Sequence, residues 1–282
     1  MSDRARNDYA LGHNHDELQR LIGQGRWLGE LTEQVLRAAG LGPGMRVLDV
    51  GCGAGDVSFL AATLVGRDGS VVGVDRSGEA IALAKRRAAD VGLANVSFVN
   101  QDLQELATEA RFDAIIGRLV LMYFPEPDAL LRQLVQLLLP GGVIAFHEID
   151  VQGANSEPNV PLYARSVTRV IETLRCVNAN PRMGLRLAQT FERANLPTPR
   201  MVAHARIGTA AEIGSFHQIT AVTRTLLSAM EKHGIATAAE VDVDTLADRL
   251  RRAVHAADAT VVAPLFVGAW ARKPVPGEES GA

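Results

Sequence analysis

From residue 45 to residue 149, short β-branched apolar runs alternate with helical stretches, and the connections between them are short. No other feature constrains the fold as much, because parallel strands need crossover connections and a helix is the usual crossover. Residues 45–50, 70–74, 96–99, 112–116 and 142–149 read as strands. Residues 56–65, 78–91 and 128–139 carry apolar side chains at three- and four-residue spacing and read as helices. The expected fold is α/β, a Rossmann-like doubly wound parallel sheet.

Upstream, residues 16–40 place Trp27, Leu28, Leu31, Val35 and Leu36 at helical spacing, and Gly40, Gly42, Pro43 and Gly44 stop that helix. After Asp150 the rhythm changes. Residues 163–177 and 185–194 read as helices, 201–207 as a short strand, 210–258 as helical and 260–271 as a last strand. The division expected is an N-terminal helical cap (1–40), a Rossmann-like core (41–150) and a helical insertion or lid (151–200). The end of the sheet with a second helical insertion (201–273) and a flexible tail (274–282) follow.

Composition narrows the setting. Hydrophobic residues make up 47% and charged residues 22%, with a formal net charge of −3, the profile of a globular protein without broad affinity for nucleic acid or anionic membrane. Only Cys52 and Cys176 occur, too few for a disulfide framework. No stretch approaches 18 uncharged apolar residues, so the expectation is a cytoplasmic protein with no membrane span.

The first strand runs into Asp49-Val50-Gly51-Cys52-Gly53-Ala54-Gly55-Asp56, an acid followed by glycines at every second position. Glycines there remove Cβ atoms where a ligand would touch the backbone at the start of a crossover helix. A G-x-G-x-x-G fingerprint counted from Gly51 would need a third glycine where Asp56 stands. A dinucleotide pyrophosphate, and with it an NAD-dependent oxidoreductase, is therefore disfavoured. A carboxylate at position 56 suits a ligand with ammonium and sulfonium groups instead. Asp75 ends the second strand, where a carboxylate can accept both hydroxyls of a ribose. Asp102 follows the third strand, where it can accept from an adenine amine while the next backbone amide meets a ring nitrogen. An Asp in that place is also a common helix cap.

Three acidic sites in register after three successive strands make residues 41–150 resemble the class I S-adenosylmethionine-dependent methyltransferases. The likeness is to the small-molecule type related to the ubiquinone and menaquinone biosynthesis enzymes. Residues 112–123, the turn Leu139-Pro140-Gly141-Gly142 and the closing run 266–271 also match, the last as the family's reversed seventh strand. The resemblance implies S-adenosylmethionine as cofactor and S-adenosylhomocysteine as product. It implies Asp49, Gly51 and Gly53 around the methionyl end, Asp75 on the ribose, Arg76 against the adenine, and Asp102 with Leu103 at the adenine edge. The backbone near Gly117 and Arg118 would face the methionyl amine, and Tyr9 would fold over the cofactor. Residues 151–258 match only as a variable insertion zone.

The resemblance implies methyl transfer to an O, N or C nucleophile of a small molecule, an aromatic or indolic intermediate of secondary metabolism among the candidates. The alternative is an S-adenosylmethionine-binding protein that does not methylate, a cyclase or a regulatory module. Gly117-Arg118-Leu119-Val120 stands where nucleic-acid amino-methylating relatives carry D/N-P-P-Y/F. No Pro-Cys pair supplies a covalent nucleophile, and no His or Cys spacing points to a metal. His147 and Glu148 end the fifth strand, and side-chain alternation lets only one of them face the cleft. His147 is favoured as base, because an imidazole near pKa 6.5 is basic at neutral pH without tuning. His13 is a further catalytic candidate, and Arg118 either orients a substrate anion or makes an ion pair. Phe216, His217, Thr220, Arg224 and Met230 are expected to touch substrate from the lid. A face of that kind can equally be core or the surface of a homodimer.

Overall fold

The computed structural model describes residues 15–106, 108–211 and 213–275. Tyr9, His13 and the part of the expected flexible tail from residue 276 onward lie outside them. Helix α1 (His15–Ala39) precedes β1 (Arg46–Val50), α2 (Asp56–Val65), β2 (Ser70–Asp75), α3 (Gly78–Asp90), β3 (Val96–Asn100), β4 (Phe112–Arg118), α4 (Pro127–Val135) and β5 (Leu138–Asp150). Then come β6 (Asn155–Glu157), α5 (Pro161–Cys176), α6 (Met183–Arg193), β7 (Arg200–His204) and β8 (Ile207–Gly208). Helices α7 (Ile213–Lys232), α8 (Ala238–Val241) and α9 (Val243–Ala256) precede β9 (Thr260–Val262) and β10 (Leu265–Arg272).

Seven strands form one sheet in the order β3-β2-β1-β4-β5-β10-β7. Strands β1 to β5 pair in parallel, and β10 runs antiparallel to both β5 and β7. This is the doubly wound, Rossmann-like sheet with a reversed last strand. The central strands read as continuous apolar runs because both faces are covered. Val47, Ile116, Ala145 and Val143 pack with α1 and α2 on one face, and Leu48, Val50, Ile115 and Phe146 pack into the larger core on the other. Helix α1 lies close on β10: a Cβ added at Gly268 would stand 2.4 Å from Cγ2 of Val35. Glycine at 268 is thus a condition of that approach.

Three expected boundaries are corrected. The helix drawn over 128–139 stops at Val135, because Leu138 already pairs with Phe112 at the start of β5. The strand drawn over 201–207 is two strands in different sheets, β7 and β8. The strand drawn over 260–271 is also two, parted at Ala263 and Pro264, and proline has no N–H to give a ladder. The two breaks meet, since the Ala263 N–H donates to the Arg206 carbonyl at 2.9 Å.

The segments between β5 and α6 and between β7 and β10 form a cap. A three-stranded sheet, β6-β9-β8, joins them, and the Tyr163 hydroxyl donates to the Val262 carbonyl at 2.9 Å. Of the five residues expected to touch substrate from the lid, Phe216 and Met230 are fully buried in the apolar core and Thr220 is buried. His217 is exposed, and Arg224 pairs with Asp244 of α9 at 2.7 Å. Phe216 and Met230 are thus packing residues of α7.

Candidate active site

The turn after β1 is built on left-handed backbone. Gly51, Gly53 and Gly55 have φ of 64°, 53° and 89°, conformations that side chains with a Cβ rarely adopt. Asp75 holds this turn from the next strand: one carboxylate oxygen accepts the Gly53 N–H at 2.9 Å and the other the Ser77 N–H at 2.8 Å. A carboxylate has about four acceptor positions, so each oxygen keeps capacity for a ribose hydroxyl. Asp102 accepts the Gln104 N–H at 2.9 Å through one oxygen, capping a short 3₁₀ turn that buries Leu103. Arg76 is exposed.

Asp56 departs from expectation. Its carboxylate pairs with Arg87 of α3 at 2.8 Å, and that guanidinium lies over the Phe59 ring at 5.1 Å. The charge expected to face a cationic ligand is neutralised inside the protein, so Asp56 ties α2 to α3. Asp49 is the buried acid beside the turn. It is 1% exposed and accepts from the Ser58 hydroxyl at 2.6 Å. Burial raises its pKa to about 7, offset in part by Ser58 and Arg118 and reinforced by Asp75 and Asp56. Desolvated carboxylates beside a glycine cradle fit a cofactor that brings positive charge of its own. The donor set at Asp75 fits a ribose.

Strand pairing sets Arg118 beside His147, and Asp49 beside Ile116, two residues before Arg118. Asp49, Arg118 and His147 therefore share the face covered by α1. Thr32 of α1 joins the last two. Its hydroxyl donates to the Leu28 carbonyl at 3.0 Å, which commits its only proton. Its oxygen accepts from Arg118 Nη1 at 3.2 Å and lies 3.2 Å from His147 Nδ1. With the Thr32 proton directed to Leu28, the contact at Nδ1 is met by the tautomer that donates from Nδ1 and leaves the lone pair on Nε2. That Nε2 is buried and has no partner among the described residues. The imidazole, 2% exposed, meets the Phe266 ring at 5.8 Å. Burial, then Arg118 and His204, lower its pKa to about 3. The expectation of a base near pKa 6.5 is corrected accordingly: the ring is neutral without tuning, yet it cannot keep a proton.

Glu148 projects from the opposite face and shapes the turn after β4. One carboxylate oxygen accepts both the Val120 and the Leu121 N–H at 2.8 Å. The Leu119 N–H donates to the His147 carbonyl at 3.0 Å. These bonds hold Leu119 at φ 55°, an uncommon conformation for leucine. Burial raises the Glu148 pKa to about 7 against three backbone hydrogen bonds. Sequence alternation left His147 and Glu148 as rivals; in the structure they do different work.

Sequence reading missed Thr32, His204 and Arg206. Arg206 donates twice to the Trp27 carbonyl, at 3.2 and 2.9 Å, and lies over the Trp27 ring, clamping α1. Thr32 carried a usable signal, a hydroxyl on the apolar stripe of Leu28, Val35 and Leu36. Strand pairing alone brings His204 opposite Phe266. Among the described residues no group of three or more His, Cys, Asp or Glu could hold a metal ion, and no helix is long and apolar enough to cross a membrane.

Comparison with known proteins agrees with the fold. Residues 41–195 match the family described as "Methyltransferase domain". The chain is 36% identical over 143 residues to an arsenite methyltransferase of Aquipseudomonas alcaligenes, covering 44% of this chain and 41% of the relative. It is 36% identical over 123 residues to the aklanonic acid methyltransferase DauC of Streptomyces sp. strain C5, covering 43% and 53%. It is 33% identical over 128 residues to the ubiquinone biosynthesis O-methyltransferase of Escherichia fergusonii, covering 45% and 50%. The chain thus spans about half, or less, of the curated relatives it matches. Among solved structures, the [4+2]-cyclase SpnF has a TM-score of 0.52 at 22% identity, with 87% of this chain and 80% of that one covered. The YcgJ protein of Bacillus subtilis has 0.54 at 15%, with 88% and 97% covered. Both show the fold. The family match spans more than half of the chain, from β1 through α6, and on it the chain belongs to the class I S-adenosylmethionine-dependent methyltransferases.

Proposed function

We propose that the protein methylates an oxygen, nitrogen or carbon nucleophile of a small molecule, and that His147 Nε2 receives the hydrogen bond of the reacting group. When bound, S-adenosylmethionine would supply an electrophilic sulfonium methyl group, with S-adenosylhomocysteine as the leaving group. Gly51 and Gly53 would hold the methionyl end with Asp49 as counter-charge, Asp75 the ribose, and Asp102 with Leu103 the adenine edge. The observation that carries the proposal is the buried, unpartnered Nε2 of His147, with Nδ1 held against Thr32. A neutral imidazole accepts the hydrogen bond of a phenol, indole or amine and aims the reacting atom. Because its pKa is near 3, the ring accepts this hydrogen bond without retaining the proton. Positioning of this kind is worth about 7–11 kcal/mol at its best.

The acceptor chemistry is better matched to the relatives named for aklanonic acid and for O-methylation than to those named for arsenite. Arsenic(III) is a soft acceptor that calls for several thiolates. Here Cys52 is buried in the glycine turn with its thiol pushed up by desolvation, and Cys176 is exposed at the end of α5. The test is release of S-adenosylhomocysteine with a panel of phenolic and indolic acids, their methyl esters, and amines. His147→Ala is expected to lower kcat about 10²-fold with cofactor affinity unchanged. The pH profile should follow ionisation of the acceptor, with no step near 6.5. Unchanged turnover in His147→Ala would remove His147 from the site. Rearranged acceptor without S-adenosylhomocysteine would establish the cyclase reading.

A further inference from the structure

Inside the cap, between α5, α7, α8 and α9, lies a cavity of about 40 Å³. A water needs about 10–15 Å³ by this measure, so the space admits an anionic headgroup but no whole cofactor. Thr223, which lines it, stands nine residues along α7 from Gly214. Gly214 is where α7 approaches Trp27 of α1. At 1.5 Å per residue the cavity is about 13 Å farther into the cap.

Its lining is unbalanced in charge. Arg165 and Arg169, one turn apart on α5, and Arg249 of α9 face the single carboxylate of Glu240. One Glu240 oxygen is already committed to the Thr237 N–H and hydroxyl, at 2.8 and 3.0 Å. Arg249 uses Nη2 on the carbonyls of Val241 and Asp242, while its Nε is buried without a partner. The Thr223 hydroxyl, on a side chain 2% exposed, is also without a partner. No hydrogen bond or ion pair within the described residues ties down Arg165. Donors thus outnumber acceptors around a small, positively charged space. A water would satisfy donors but leave the charge, whereas a carboxylate or phosphate would satisfy both.

We propose that this cavity is an oxyanion site, binding a carboxylate or phosphate group through Arg165, Arg169, Arg249 Nε and the Thr223 hydroxyl. The anion belongs either to the methyl acceptor or to a separate small molecule. Binding of the anion itself stands apart from the methyl-transfer reading, and its test needs no acceptor.

The experiment is calorimetric titration of the full chain with inorganic phosphate and, separately, acetate. Saturable binding is expected, weakened at least tenfold in Arg165→Met and Arg169→Met and unchanged in Arg251→Met, whose exposed partner is Asp248. Retained S-adenosylhomocysteine binding verifies that the variants fold. Non-saturable heats in the wild type, or equal affinity in the Arg165→Met/Arg169→Met double variant, would overturn the proposal. The source of the anion follows from the acceptor panel. Should the double variant lose kcat/KM tenfold for acids but not for their esters, the anion is the acceptor's own. Equal loss or none for acids and esters, with phosphate binding still lost, makes it a separate ligand.

Discussion

The raised pKa of Asp49 makes a quantitative prediction about cofactor binding. In the free protein its carboxyl titrates at about 7. A ligand carrying ammonium and sulfonium charge favours the anion and returns the group toward its ordinary value near 3.9. Below pH 7, binding must therefore first expel a proton, which costs about 1.4 kcal/mol, or tenfold in Kd, for each unit of pH. At pH 7 half of the free protein is protonated at Asp49. At pH 5 the anion is about one part in a hundred, so affinity for S-adenosylmethionine should fall about 50-fold from pH 7 to pH 5. The α-amino group of the ligand titrates near 7.7–8.0, so it stays charged in this window and adds no slope. Calorimetry in buffers of different ionisation enthalpy would count the proton released. Asp49→Asn, neutral at every pH, should bind about 600-fold more weakly than the wild type at pH 7, the full span between about 7 and 3.9, with a flat profile. A wild-type Kd that moves less than threefold across the window, or a variant that keeps the slope, would refute the assignment.

Asp75→Ala removes both acceptors that hold the Gly53 and Ser77 amides and should weaken S-adenosylmethionine binding by about 2–4 kcal/mol; wild-type affinity in that variant would take Asp75 out of the site. Glu148→Ala strands two buried N–H groups and should destabilise the fold by about 2–4 kcal/mol in chemical denaturation. The wild-type Glu148 titrates at about 7 when folded, above its ordinary 4.5. Its contribution to stability is thus present below pH 4.5 and lost as pH rises through about 7, a slope that Glu148→Ala should abolish.

The core of the fold was legible because each of its strands is an apolar run ended by a polar or glycine turn, and each pairs with a neighbour set by a short crossover. Asp49, Asp75 and the glycines could be read for the same reason, being fixed by local spacing. Asp56 was misjudged because its partner, Arg87, is thirty-one residues away and no local pattern links them. The face on which His147 lies follows from strand alternation, but its protonation state depends on burial, Arg118 and His204, which no local pattern reveals. The strand breaks near residues 205 and 263 share a cause. They occur where one backbone leaves the main sheet for the cap, and only Pro264 announced it.

The small sheet β6-β9-β8 has a consequence for how the chain is completed. Strand β9 belongs to the cap and β10 to the main sheet, and only Ala263 and Pro264 separate them. Until residues 260–272 are in place, the inner edge of β5 has no antiparallel neighbour, β7 has nothing to pair with, and the two insertions are not stitched together. On the ribosome, most of the chain must therefore be made while an apolar strand edge stands open, a state exposed to aggregation and proteases. Placement of this one segment then completes both the main sheet and the small sheet of the cap.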